Sequence, residues 1–260
     1  MKVAVTGKGG VGKTTLAAAL AQLLAGRGRA VLAVDADPDA NLAASLGLPA
    51  AARAKLVPLA RQTELIAART GAAGATWGAM FKLNPEVSDV ADAFATRHRG
   101  IALLVLGAVE RGGAGCACPA SVFLKTLVSE LVLRRGEALI LDMEAGIEHL
   151  GRGTAAGVDL MIAVVEPGQR AVETALHVET LGRQVGIRRF AFVANKIASA
   201  ADEAFVRAAL GPRTLLGALP YCEALRGADR DGRSVLDSLD APLRRRFEEI
   251  LDRIEGSKSA

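Results

Sequence analysis

The chain has 260 residues, enough to bury a large core in one domain, and its apolar content is aliphatic, rich in Ala and Leu and poor in aromatics. Its net charge of +4 comes without a dense Lys/Arg block interleaved with aromatics, so no nucleic-acid partner is expected. Three cysteines, two of them one residue apart, make no disulfide framework, and no apolar run reaches the roughly 18 residues that cross a bilayer. An apolar run opens at Val3 with no leader pattern before it, so the expectation is a cytoplasmic protein without membrane association.

Residues 3–5 read as a short buried strand. Behind them, Gly7-Lys8-Gly9-Gly10-Val11-Gly12-Lys13-Thr14-Thr15 satisfies the G-x-x-x-x-G-K-[ST] pattern. Leu16, Ala17, Leu20, Leu23 and Leu24 then fall at helical spacing. Strand, glycine loop and helix are the context this motif needs. Glycines let the backbone curl and aim its N–H groups at an anion, and the helix N-terminus adds partial positive charge. The stretch from Gly9 through Gly10, Val11, Gly12, Lys13 and Thr14 to Thr15 is therefore expected to cradle the phosphates of ATP. Lys13 is expected to reach the β/γ-phosphates, and the Thr14 hydroxyl to hold Mg²⁺.

With Lys8 inside it, the loop resembles the deviant Walker A of the MinD/nitrogenase-iron-protein class of P-loop ATPases. In that class the early lysine reaches across a two-fold axis to the partner's nucleotide. The resemblance thus implies a homodimer with Lys8 in a catalytic role. By itself, a loop lysine is equally compatible with a solvated charge.

Residues 30–34 read as a second strand, ending in Asp35-Ala36-Asp37-Pro38-Asp39. Carboxylates at the C-terminal end of a parallel strand beside a phosphate loop suit metal and water chemistry. The resemblance makes Asp37 a switch I residue that orients the attacking water and touches the magnesium shell. Asp-Pro-Asp is also a good turn and helix cap. Residues 48–100 read as Ala-rich helical stretches between weak turns, and Trp77, Met80 and Phe81 as core packing.

Residues 101–106 form a third apolar run, followed by a glycine-rich loop carrying Cys116 and Cys118. Ser121 is placed to cap the next helix, through Leu124, Leu127 and Leu131. Two thiolates suit zinc, copper(I), nickel or iron–sulfur clusters, but such sites want four donors. A two-fold dimer would supply them from two Cys-x-Cys pairs.

Residues 138–142 form a fourth strand ending in Asp142, the Walker B pattern whose carboxylate is expected on magnesium. The Gly146 N–H is expected to sense the γ-phosphate, and His149 to be a hydrogen-bonded switch residue. Residues 160–165 and 190–194 form two more strands, the latter ending in Asn195-Lys196, with helical spacing from 172 to 185 between them. The resemblance implies that Asn195 binds the adenine edge. A last strand, 215–220, ends in Pro220, whose following loop is expected to close over the base. Leu243, Phe247, Ile250, Leu251 and Ile254 lie on one face of a closing helix, with charges balanced as on a packed surface helix.

The segments Gly113 to Pro119, Leu-Asp-Met-Glu-Ala-Gly-Ile-Glu-His-Leu-Gly-Arg-Gly at 141–153 and Val-Glu-Pro-Gly at 165–168, together with the stretches 5–15 and 34–41, resemble the CooC-type nickel-insertion accessory ATPases of carbon monoxide dehydrogenase. What the resemblance implies is a doubly wound, mostly parallel α/β P-loop domain over 1–260, with 48–100 as a helical, family-variable region. It further implies ATP hydrolysis, Ni²⁺ (or Zn²⁺ at the same site) on Cys116 and Cys118 of a homodimer, and carbon monoxide dehydrogenase as client. Two other readings stand beside it. One is an iron–sulfur redox ATPase like the nitrogenase iron protein; the other is a positioning ATPase of the MinD/ParA kind.

Overall fold

Seven aliphatic runs become parallel strands because each is covered on both faces, which is why they read as near-continuous Val, Ile, Leu and Ala. The structure, a computed structural model, describes residues 1–72, 81–107, 118–134, 137–145, 155 and 157–256. Its strands are β1 (Lys2–Thr6), β2 (Val31–Asp35), β3 (Thr96–His98), β4 (Ile101–Val105), β5 (Ala138–Asp142), β6 (Leu160–Val165), β7 (Phe190–Ile197) and β8 (Leu215–Pro220). They form one sheet in the order β3-β4-β2-β5-β1-β6-β7-β8, and only β3 runs antiparallel to its neighbour. β1 lies between β5 and β6: the chain runs from β1 to β2 on one side and, after β5, crosses past β1 to β6 on the other. That reversal opens a crevice at the C-terminal strand ends, where ligands bind in open α/β sheets.

The helices among the described residues are α1 (Lys13–Gly26), α2 (Leu42–Ser45), α3 (Ala50–Arg53), α4 (Thr63–Thr70), α5 (Val90–Phe94), α6 (Pro119–Arg134), α7 (Gln169–Val185), α8 (Ala200–Leu210), α9 (Glu223–Asp231) and α10 (Ala241–Gly256). The pleat sends alternate side chains to opposite faces. Val3, Val5, Ile140 and Ile162 join Leu16 and Leu20 of α1 and Phe247 and Leu251 of α10 in one core layer. Ala4, Leu139, Leu141 and Met161 join Phe123 and Leu127 of α6 and Val172 of α7 in the other. The apolar face of α10 is thus used up inside the protein. Its Arg246 and Arg253 donate to the carbonyls of Ala218 (3.1 Å) and Leu216 (2.6 Å) on edge strand β8. No described helix is long and apolar enough to cross a membrane.

Two local expectations are corrected. Among the described residues of 48–100 the helices are short, and β3 is present as well, turned into β4 by Arg99 and Gly100, both at positive φ (48° and 79°). Tight hairpins favour such left-handed residues. Trp77 and Met80 lie outside the described residues. The connection after β8 is only Tyr221 and Cys222 before α9 begins. The cap of α6 is not Ser121 but Cys118, whose sulfur accepts the Ser121 N–H at 3.4 Å and whose S–H donates to Ser121 Oγ at 3.2 Å.

One buried ion-pair cluster yields a stability prediction. Glu179 of α7, 8% exposed, accepts from Arg183 Nη2 at 2.7 Å and from Arg213 Nε at 2.6 Å. Burial alone would raise its pKa, but hydrogen bonds from Arg213 and Arg183 outweigh it and hold the carboxyl below its ordinary value. A depressed carboxylate pKa contributes stability above its unfolded value, lost as pH falls through the folded one. Glu179→Ala should therefore cost about 1–3 kcal/mol at pH 7. In urea melts, the gap from the unaltered chain should shrink as pH falls into the carboxylate range.

Candidate nucleotide site

The loop between β1 and α1 has three glycines in the left-handed region, Gly7, Gly10 and Gly12, and two of them are also pressed against neighbouring strands. At Gly7 (φ 144°) a Cβ would lie 2.5 Å from Val164 O, and at Gly12 (φ 101°) it would lie 2.2 Å from Asn195 Nδ2. No side chain fits either place, so the backbone comes against β6 and β7 closely enough to make a cradle. Val11 is buried and anchors the loop, while Lys8, Gly9 and Gly10 are exposed at its tip. Asn195 Nδ2 donates to Val11 O at 2.8 Å, bracing the loop from β7. Thr6 Oγ1 donates to Glu144 O at 2.7 Å, tying the end of β1 to the chain leaving β5.

Lys13 opens α1 with only 7% of its side chain exposed, and its Nζ lies 3.4 Å from Asp37 Oδ2. The other oxygen of Asp37 accepts the Asp39 N–H at 3.1 Å. One carboxylate thus both shapes the turn after β2 and faces the loop lysine. Asp35 closes the same turn, its Oδ2 accepting the Leu42 N–H at 2.9 Å.

Asp35 and Asp142 are register partners on the adjacent parallel strands β2 and β5, both fully buried. Burial, and then the neighbouring Asp142 charge, push Asp35 up to about 8. Burial likewise pushes Asp142 up to about 7, with the Thr14 hydroxyl and the Lys13 charge easing it and Asp37 adding repulsion. Neither oxygen of Asp142 has a properly directed hydrogen bond among the described residues. A buried carboxylate left without donors costs free energy unless a cation meets it. Mg²⁺ characteristically takes one or two carboxylates and fills its shell with phosphate oxygens and water. The Asp142 carboxylate and Thr14 hydroxyl, with Asp37 nearby, fit that ion.

Asn195 meets the loop from β7, and Pro220 ends the neighbouring strand β8 as the register partner of Ile197, whose O accepts the Tyr221 N–H at 3.0 Å. Gly146, His149 and Cys116 lie outside the described residues. Among the described residues no group of three or more His, Cys, Asp or Glu side chains gathers for a metal ion. Sequence reasoning missed a second brace on the loop: Lys196 Nζ donates to Gly10 O at 2.7 Å and pairs with Glu166 Oε2 at 3.2 Å. The only clue was placement, since Glu166 and Lys196 stand at the ends of the two strands on one side of β1.

A family model described as the CobQ/CobB/MinD/ParA nucleotide binding domain matches residues 2–235. The chain is 46% identical to the carbon monoxide dehydrogenase accessory protein CooC of Rhodospirillum rubrum, covering 91% of this chain and 90% of that one. It is 40% identical to an uncharacterized ATP-binding protein of Methanocaldococcus jannaschii, covering 98% and 97%. In fold it is similar to a chain of the MinC:MinD cell division protein complex from Aquifex aeolicus, with TM-score 0.69, 20% identity and coverage of 98% and 96%.

Proposed function

This chain belongs to the CobQ/CobB/MinD/ParA nucleotide-binding family and is an ATPase of the CooC type, and we propose that it uses ATP to deliver nickel to the cluster of carbon monoxide dehydrogenase. The observation that carries this reading is the 46% identity to that accessory protein over nine-tenths of both chains. The fold alone would serve a positioning ATPase equally well.

In the proposed cycle, Lys13 exchanges Asp37 for the β/γ-phosphates, and the released carboxylate orients the attacking water. Thr14 and Asp142, with Asp37, hold magnesium, which neutralises phosphate charge when bound. Backbone N–H groups of residues 9–15 and the Gly146 N–H bind the phosphates, and Asn195 and Pro220 flank the base. Lys8, exposed at the loop tip, is free to reach the nucleotide of a second copy. Two copies bring together two Cys116/Cys118 pairs, enough thiolates for one Ni²⁺ as cargo. Nucleotide state then sets the spacing of those pairs.

The test is nickel binding to anaerobically reduced chain, with and without MgATP, with mass read by light scattering. The expected result is one ion per two chains, changed by nucleotide and lost in Cys116→Ala/Cys118→Ala. Binding that ignores both cysteines would sink the carrier role and leave the ATPase standing.

A further inference from the structure

We infer that Lys196 is a positioning residue for the phosphate loop, held in a strained backbone so that its ammonium fixes the loop in its anion-ready shape. The inference rests on the reading that residues 7–15 bind nucleotide.

Lys196 has φ 57°, one of two non-glycine residues among those described with positive φ. A long side chain in that region is costly and persists where the surroundings demand it. The strain coincides with an irregularity in the sheet: the β7–β8 register shifts between Ala194 and Ile197. Such bulges re-aim side chains, often beside active sites. Here two consecutive side chains reach two consecutive loop carbonyls: Asn195 Nδ2 meets Val11 O at 2.8 Å, and Lys196 Nζ meets Gly10 O at 2.7 Å. In a trans peptide the N–H points opposite to the C=O. Drawing the Val11 carbonyl toward β7 therefore turns the Gly12 N–H away from it, while the Val11 N–H, opposite the Gly10 carbonyl, donates to Lys8 O at 3.3 Å and closes the loop's own turn. Glu166, at the end of β6, holds the ammonium from the other side at 3.2 Å. It also offsets a positive charge that the loop would otherwise carry without nucleotide. The ammonium bonds a carbonyl, not a phosphate position, so its effect on ATP passes through the backbone.

Lys196→Gly separates this role from a structural one. Glycine removes the strain at φ 57°, so the nucleotide-free chain should melt at the same temperature as the unaltered one or higher. Without the ammonium, MgATP and MgADP should bind roughly tenfold more weakly, in the range for losing a charge-assisted hydrogen bond. KM should rise by a similar factor with kcat changed less. Lys196→Arg should recover most of the affinity, and Lys196→Met should not. Undiminished nucleotide affinity in both Lys196→Gly and Lys196→Met would overturn the inference and leave the ATP site intact. So would a loss that merely tracks a fall in melting temperature. Failure of the unaltered chain to bind MgATP would overturn the nucleotide reading and this inference together.

Discussion

Asp142→Asn should leave the nucleotide-free chain more stable than the unaltered one at pH 8 and abolish its response to magnesium. The buried carboxylate has no properly directed hydrogen bond among the described residues, and burial raises it from an ordinary 3.8 to about 7. Because the folded-state pKa is the higher one, the stability of the protonated form is fully present below about pH 4 and is lost as pH rises through about 7. Asp35, raised to about 8, extends the same trend upward. The neutral amide escapes this loss. The stability difference should be on the order of a few kcal/mol at pH 8 and should fade toward pH 4. Magnesium binding requires the ionised carboxylate, so loading MgATP near pH 6–7 should release protons. Calorimetry in buffers of different ionisation heat reads that release directly, and the variant should show much less of it. ATP turnover should fall by about a hundredfold or more, as when a preorganised charge is removed from a phosphoryl-transfer site. A variant that still needs and responds to magnesium would take Asp142 off the metal.

Gly12→Ala should abolish measurable nucleotide binding while the sheet survives. The added carbon would sit 2.2 Å from Asn195 Nδ2, at a backbone φ of 101° that L side chains rarely adopt. Loop and brace cannot both keep their places. Local strain of this kind costs about 1–3 kcal/mol, a loss most folded domains tolerate. Adding Asn195→Ala removes the clash but not the strain, and also removes the bond to Val11 O. Circular dichroism melts should therefore show partial recovery of stability in the double variant, while titration with a fluorescent ATP analogue should show no recovery of binding. If Gly12→Ala binds nucleotide as the unaltered chain does, the cradle is not built as described.

What the sequence revealed was set by range. The strand, loop and helix of residues 2–26 could be read directly because their signals are local: an apolar run, glycines, then helical spacing. The aspartates at 35 and 142 were visible as strand ends. Their mutual repulsion was not, because it arises only when β2 and β5 become neighbours. Asn195 could be read as a strand-end residue, but the hydrogen bond from its Nδ2 to Val11 O could not, because it spans 184 residues. β3 went unread because three residues in an Ala-rich stretch carry no periodicity, and its hairpin uses Arg99 where Asn or Gly usually gives the signal. Cys118 looked like a ligand and no more. That its sulfur also caps α6 depends on a helix start that Pro119 hides within the motif.

The central place of β1 has a consequence for how the protein is made. The strand is synthesised first, yet its partners are β5 and β6, and its loop is braced by residues from β7. A growing chain therefore carries the whole phosphate motif on the ribosome long before it owns a phosphate site. Parallel pairing across such separations is intrinsically slow and leaves strand edges uncovered in the meantime. Fragments that stop short of residue 195 should retain the motif and bind no nucleotide. In the finished protein, an occupied loop certifies that the sheet on both sides of β1 has closed.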